Sequence, residues 1–283
     1  MKIFKKTLKI LGCALLIIFI GLYFTFYYFT LSKSDEKVLA EFKETLVKPK
    51  LTHEKFNNFE YRKLSFVKDT NLPTVVFVHG TIGSCLDFSK YIQDNQLSKK
   101  ANFISYDRIG YNYNDKNNVQ ESIAFEVDLL EDITKNLSNE KTIIVGYSYG
   151  GPIALAVKNK YKAIVLFAPA VYSKVEPMPW VINLYTWKIT QWMVPDIWKQ
   201  ASREKITHRQ DLQNFEENWN QNKNKIISIH GNSDAIVPFE NSLYLEKQFS
   251  KEQFELIAID NTGHDLIWSN FDFLKQQLLN QLD

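Results

Sequence analysis

The chain has 283 residues, 45% of them apolar, and its 34 basic residues nearly balance 32 acidic ones for a net charge of +2. That length suits one large domain with a full core plus an accessory segment, and the composition excludes a disordered chain. Beyond the N-terminus the two signs of charge are interspersed, so no basic stripe points to nucleic acid as a partner.

The N-terminus is different. Lys2, Lys5, Lys6 and Lys9 occur among the first nine residues without an acid, and the 23 residues from Ile10 to Ser32 carry no charged side chain. At about 1.5 Å per residue such a helix reaches about 35 Å, enough to cross a hydrocarbon core of about 30 Å. Residues 1–32 therefore read as a membrane anchor, with a transmembrane helix over about 10–32. Tyr23, Phe24, Phe26, Tyr27, Tyr28 and Phe29 cluster at its far end, where aromatic rings favour the membrane interface. Lysines ahead of the span predict a cytoplasmic N-terminus and a domain on the outer (periplasmic or extracellular) side. A cleaved signal peptide is the competing reading, for which Thr30-Leu31-Ser32 is a poor cleavage site. A lipoprotein signal at Cys13 is disfavoured, because Lys9 leaves almost no apolar stretch ahead of it. The only other cysteine is Cys85, so no disulfide framework is available.

Residues 33–60 are charged and weakly helical, and are expected to form a stalk or an N-terminal helix. From Tyr61 the pattern changes to that of a domain over 61–283. β-rich runs recur at 61–67, 74–78, 102–106, 142–145, 163–167, 225–230 and 254–259, with amphipathic stretches between most of them. The clearest is Glu121 to Leu137, where Ile123, Val127, Leu130 and Ile133 repeat at helical spacing. This alternation predicts an α/β fold, with a mostly parallel central sheet covered by helices on both faces. Ligands in such sheets bind beyond the carboxyl ends of the strands, where Gly80, Asp107, Ser148, Asp234 and His264 would fall. Residues of about 172–222 break the alternation with a helical, aromatic segment that holds five of the six tryptophans. Its position predicts a cap or lid over that edge.

Gly146-Tyr147-Ser148-Tyr149-Gly150 follows the apolar run Thr142-Ile143-Ile144-Val145 and precedes a predicted helix from Pro152. A serine on so sharp a strand-to-helix turn is presented as a nucleophile, and residues two away must be small. A serine hydroxyl also needs a base to take its proton, and the base needs an acid to fix its tautomer. Asp234, in the loop Gly231-Asn232-Ser233-Asp234, and His264, in Asn261-Thr262-Gly263-His264, each follow a β-rich run. Asp260 and Asp265 compete as the acid, and His53, His79, His208 and His230 as the base, but only His264 follows the last strand. His79, Asp107 and Arg108 are expected to order loops, with Arg108 also open to an anionic substrate. No G-x-x-x-x-G-K or H-E-x-x-H motif occurs, so no cofactor or metal is expected.

Taken together these motifs resemble those of the α/β-hydrolase family, over roughly Tyr61 to Asp283. His79-Gly80-Thr81-Ile82-Gly83 is similar to the family's H-G-x-P-G loop, with Ile82 where proline is common. Asp107-Arg108-Ile109-Gly110 resembles its D-x-x-G turn, and Gly146 to Gly150 its nucleophile elbow. The resemblance implies Ser148, Asp234 and His264 as catalytic residues, and the backbone amides of Thr81 and Tyr149 as the oxyanion hole, with Ile82 as an alternative donor. It implies a membrane-anchored serine hydrolase acting on a small-molecule carboxylic ester, and the aromatic lid suggests a lipid-like acyl group. Same-fold alternatives are a carbon–carbon bond hydrolase and a cofactor-free peroxidase, and a different class is a non-catalytic ligand-binding protein. A serine at position 148 disfavours branches that use an aspartate nucleophile.

Overall fold

Short runs of β-branched and aromatic residues build one eight-stranded sheet in the computed structural model, which describes residues 2–111 and 118–282. The strands are β1 (Lys50–Phe56), β2 (Phe59–Phe66), β3 (Thr74–Val78), β4 (Asn102–Tyr106), β5 (Thr142–Tyr147), β6 (Ala163–Phe167), β7 (Ile226–Gly231) and β8 (Phe254–Ile259). Their spatial order is β1-β2-β4-β3-β5-β6-β7-β8. β3 to β8 are parallel to one another, and β1 and β2 add an antiparallel edge. The expected α/β fold with a mostly parallel sheet is what the chain adopts.

Helices of six residues or more are α1 (Lys2–Phe29), α2 (Asp35–Ala40), α3 (Ile123–Thr134), α4 (Gly150–Leu155), α5 (Asp196–Leu212), α6 (Glu240–Gln248) and α7 (Phe271–Leu282). Those after α1 cover both faces of the sheet. Along β3, Val75 and Phe77 join one core while Val76 and Val78 join the other, following the two-residue period of a strand. Leu274 and Leu278 of α7 close the first core, and Val127 and Leu130 of α3, Ile153 of α4 and Leu245 of α6 close the second. Each such side chain, fully buried, contributes about 1.5–3 kcal/mol.

α3 is shorter than the predicted 121–137. The Ser122 hydroxyl accepts the Phe125 amide as an N-cap, and Glu121 has a φ of +53°, so the helix cannot begin earlier. α1 is long and apolar enough to cross a membrane, and its apolar stretch runs from Phe4 to Phe29 without burial in the domain.

The expectation for residues 33–60 needs correction. α2 is the short N-terminal helix, but the segment is no stalk: Val38, Phe42 and Val47 are buried with Leu64 and Phe77 in the first core. Residues 50–56 form β1, paired with β2 from Lys50 opposite Ser65 to Phe56 opposite Phe59. The turn is Asn57-Asn58, with Asn57 at φ +53°, a conformation that asparagine tolerates better than most residues. The folded domain thus reaches back well before Tyr61.

An ion pair locks this N-terminal segment to the sheet. The fully buried Arg62 donates from Nε to Asp107 at 2.7 Å and from Nη1 to the Lys33 carbonyl at 2.7 Å and Asp35 at 3.2 Å. Asp107 in turn accepts the Cys85 amide at 2.6 Å. Removing one partner of a buried pair leaves the other charge uncompensated, at about 3–5 kcal/mol. Asp107→Ala should therefore lower unfolding stability by about that amount in urea titrations of the full chain. A change under ~1 kcal/mol would contradict the buried-pair account.

Candidate active site

β5 ends at Tyr147 and α4 begins at Gly150, leaving two residues for the turn. Ser148 occupies it at φ +55°, in the left-handed region that L-residues enter at a cost. The turn is feasible because its flanks are bare. A Cβ on Gly146 would lie 2.3 Å from the Gly150 carbonyl oxygen, and one on Gly150 would lie 2.2 Å from that of Val78. The loop after β3 also presses on the serine, since a Cβ on Gly80 would come within 2.8 Å of the Ser148 Cβ.

The Ser148 hydroxyl lies 3.0 Å from His264 Nε2, and His264 Nδ1 lies 2.7 Å from Asp234 Oδ2. A carboxylate can only accept, so Nδ1 carries the proton and Nε2 is left free to accept from Ser148. The other Asp234 oxygen accepts the amides of Ile236 and Val237 at 2.8 Å each. Burial alone would raise the Asp234 carboxyl, but hydrogen bonds from His230, His264 and Val237 outweigh it and hold it well below the usual range. Ser148, Asp234 and His264 are thus brought together in one hydrogen-bonded chain. Asp260 bonds Asn232, and Asp265 precedes the helical turn Leu266–Ser269, so neither serves His264 in this arrangement.

His264 is positioned by a residue that the sequence did not single out. Tyr147 stacks on its ring at 5.0 Å, and the Tyr147 hydroxyl donates to the His264 carbonyl at 2.7 Å. His230 stands behind Asp234, with Nε2 at 3.4 Å from Oδ2. His53 pairs with Asp35 far along the chain, and His208 lies against the Tyr149 ring at 4.5 Å.

Thr81 and Tyr149 sit on the two loops that meet at Ser148, and among the described residues no backbone acceptor engages either amide. Ile82 has a φ of +62°. Proline cannot adopt that angle, so Ile82 does not stand in for the proline of the resembling motif. The loop is held instead by side chains. The His79 Nδ1–H donates to the Gly80 carbonyl at 2.7 Å, and His79 Nε2 accepts the Arg108 amide at 2.9 Å. Glu204, on α5 of the insertion between β6 and β7, accepts from the Thr81 hydroxyl at 2.7 Å and the Tyr111 hydroxyl at 2.9 Å, and pairs with Arg108. The Arg108 guanidinium lies 4.4 Å over the Tyr149 ring. Arg108 is fully buried, so it binds loops together rather than facing a ligand. Among the described residues no three His, Cys, Asp or Glu side chains form a group able to hold a metal ion.

Two buried groups beside this loop titrate in opposite senses. A Cβ on Gly83 would lie 2.5 Å from both Asp87 and His79. Burial raises the Asp87 carboxyl to about 7 from 3.8, and burial with Arg108 lowers His79 to about 3 from 6.5. Stability from Asp87 is fully present below about pH 4 and is lost as pH rises through 7. Stability from His79 is present above 6.5 and is lost as pH falls toward 3. Between pH 7 and 4 the two offset each other. In Asp87→Asn only the histidine side remains, so unfolding free energies from urea titrations should fall more steeply on acidification than in the native chain, by up to ~1.4 kcal/mol per pH unit. Parallel profiles for both chains would contradict this assignment.

Comparison with known proteins agrees with the architecture. A family model described as alpha/beta hydrolase fold matches residues 73–200. No curated protein matches the chain in sequence. Among solved structures, a candidate aryl esterase from Burkholderia cenocepacia superposes with a TM-score of 0.68 at 14% identity, over 82% of this chain and 97% of that one. A candidate lipase from Acinetobacter baumannii AYE gives 0.65 at 16% identity, over 88% and 96%. An esterase from Exiguobacterium antarcticum gives 0.64 at 15% identity, over 80% and 96%. At such identities the likeness establishes the fold. With the order of its strands, the elbow at Ser148 and the matched family model, the chain has the alpha/beta hydrolase fold.

Proposed function

We propose that this hydrolase-fold chain is a membrane-anchored serine hydrolase that cleaves carboxylic esters through an acyl-enzyme on Ser148. The observation that carries this reading is the chain of hydrogen bonds from Ser148 through His264 to Asp234, at 3.0 and 2.7 Å. In the proposed reaction, Ser148 Oγ attacks the ester carbonyl carbon while its proton passes to His264 Nε2. Asp234 stays ionised and stabilises the imidazolium. The amides of Thr81 and Tyr149 donate to the oxyanion, each worth about 3–4 kcal/mol in the transition state. His264 then returns the proton to the leaving alcohol, and a water activated by the same histidine releases the acid.

α1 supplies the anchor in this reading, with its lysines cytoplasmic and the domain on the outer side. The aromatic insertion supports an apolar acyl group as the preferred substrate. A solved meta-cleavage product hydrolase shares the fold, so turnover rather than architecture decides which bond is cut.

The test is hydrolysis of p-nitrophenyl esters of increasing acyl length by the full chain in detergent micelles. Ser148→Ala and His264→Ala should each lose about 10⁶-fold in kcat, and Asp234→Asn about 10⁴-fold. Native turnover should favour long acyl chains over acetate. Full activity in Ser148→Ala would overturn the mechanism, and a preference for acetate would overturn the lipid-like substrate.

A further inference from the structure

The first half of the insertion carries a surface that ester hydrolysis does not require. Between Met178 and Trp192 there is no acidic side chain, and Lys188 is the only charged residue. Met178, Trp180, Leu184, Trp187, Ile189 and Trp192 are all exposed there, Trp180 by 72%, Ile189 by 86% and Trp192 by 73%. They are carried on short helical turns at Trp180–Ile182, Asn183–Thr186 and Gln191–Met193. Single exposed apolar residues are ordinary, but a run this dense marks an interaction site. Its mixture of tryptophan, tyrosine and one lysine is the composition favoured at the boundary between lipid headgroups and acyl chains.

The position of α1 says what covers this surface. The Phe26 ring, near the end of α1, packs against Trp198 at 5.9 Å, and Trp198 lies at the start of α5 only six residues after Trp192. Tyr27 to Ser34 and Lys37 share a cavity of about 680 Å³ with the stretch Pro195 to Ile197 and with Gln200. The insertion is therefore held where the membrane helix emerges, level with its aromatic end. The same insertion reaches the candidate site. Glu204 of α5 accepts from the hydroxyl of Thr81, on the loop that meets Ser148.

We propose that residues 178–192 are seated in the headgroup boundary of the same bilayer that α1 spans, so that acyl substrates reach Ser148 out of lipid rather than out of bulk water. This rests on the membrane-anchored reading above, and extends it from a tether to an oriented domain.

The full chain reconstituted at one copy per lipid nanodisc tests it through tryptophan emission, compared between plain and brominated phosphatidylcholine. α1 contains no tryptophan, so quenching reports on the domain. Bromolipid should quench the native chain, and the variant W187F/W192F should lose most of that quenching. Equal emission in both lipids overturns the proposal. Unquenched chains that pair across two-copy discs overturn it too, by assigning the patch to a second copy of the chain. As a functional readout, I189E/W192E should hydrolyse an ester embedded in the disc at least ~10-fold more slowly, with a water-soluble acetate ester unaffected. Equal loss on both esters also counts against it. Fluorophosphonate labelling in the same discs separates the two claims: labelled but unquenched chains refute the seating alone, whereas quenched but unlabelled chains refute the hydrolase alone.

Discussion

Ser148 holds a left-handed backbone angle between a strand and a helix that are both buried, and the rest of the molecule is arranged so that it can. A residue with a Cβ loses about 1–2 kcal/mol in that conformation. β5 is apolar on both faces because it must sit in the middle of the sheet, flanked by β3 and β6. Gly146 and Gly150 are bare because carbonyl groups of Gly150 and Val78 fill the space a side chain would need. Further bonds fix the turn from outside: the Ser148 amide donates to the Phe167 carbonyl of β6, and the Ala170 amide donates to the Ser148 carbonyl. A hydroxyl held this way projects at the carboxyl edge of the sheet, where the loops after β3, β7 and β8 can all reach it.

A second constraint ties the insertion to that edge. Arg108 is buried with two carboxylates, Glu204 from α5 and Glu126 from α3, and lies over the Tyr149 ring. Glu204 also accepts from Thr81. A buried charge is tolerable only where its partners are held in place, so α5 cannot shift without disturbing the loops on both sides of Ser148. The insertion is for this reason a structural part of the site.

The sequence revealed the parallel strands because all but the edge strand β8 are short, largely apolar runs buried on both faces, a signal carried by composition alone. β1 was hidden by its place at the sheet edge, where Lys50, Glu54 and Lys55 are compatible with solvent and blunt unwanted pairing. Chain order and loop position were enough to select Asp234 and His264, which do converge on Ser148. Tyr147 and Glu204 were invisible, since one occupies a free position of the G-x-S-x-G pattern and the other is a helix glutamate whose partners lie far away in sequence. The conformation of Ile82 was also hidden, because a motif comparison carries residue identity and not backbone angle.

The central claim, that Ser148 is an activated nucleophile, is tested most directly by reacting the full chain with a fluorophosphonate and mapping the adduct by peptide mass spectrometry. The account predicts one adduct, on Ser148, formed by the native chain and not by His264→Ala on the same timescale. An adduct on another residue, or a folded native chain that does not react, would contradict it.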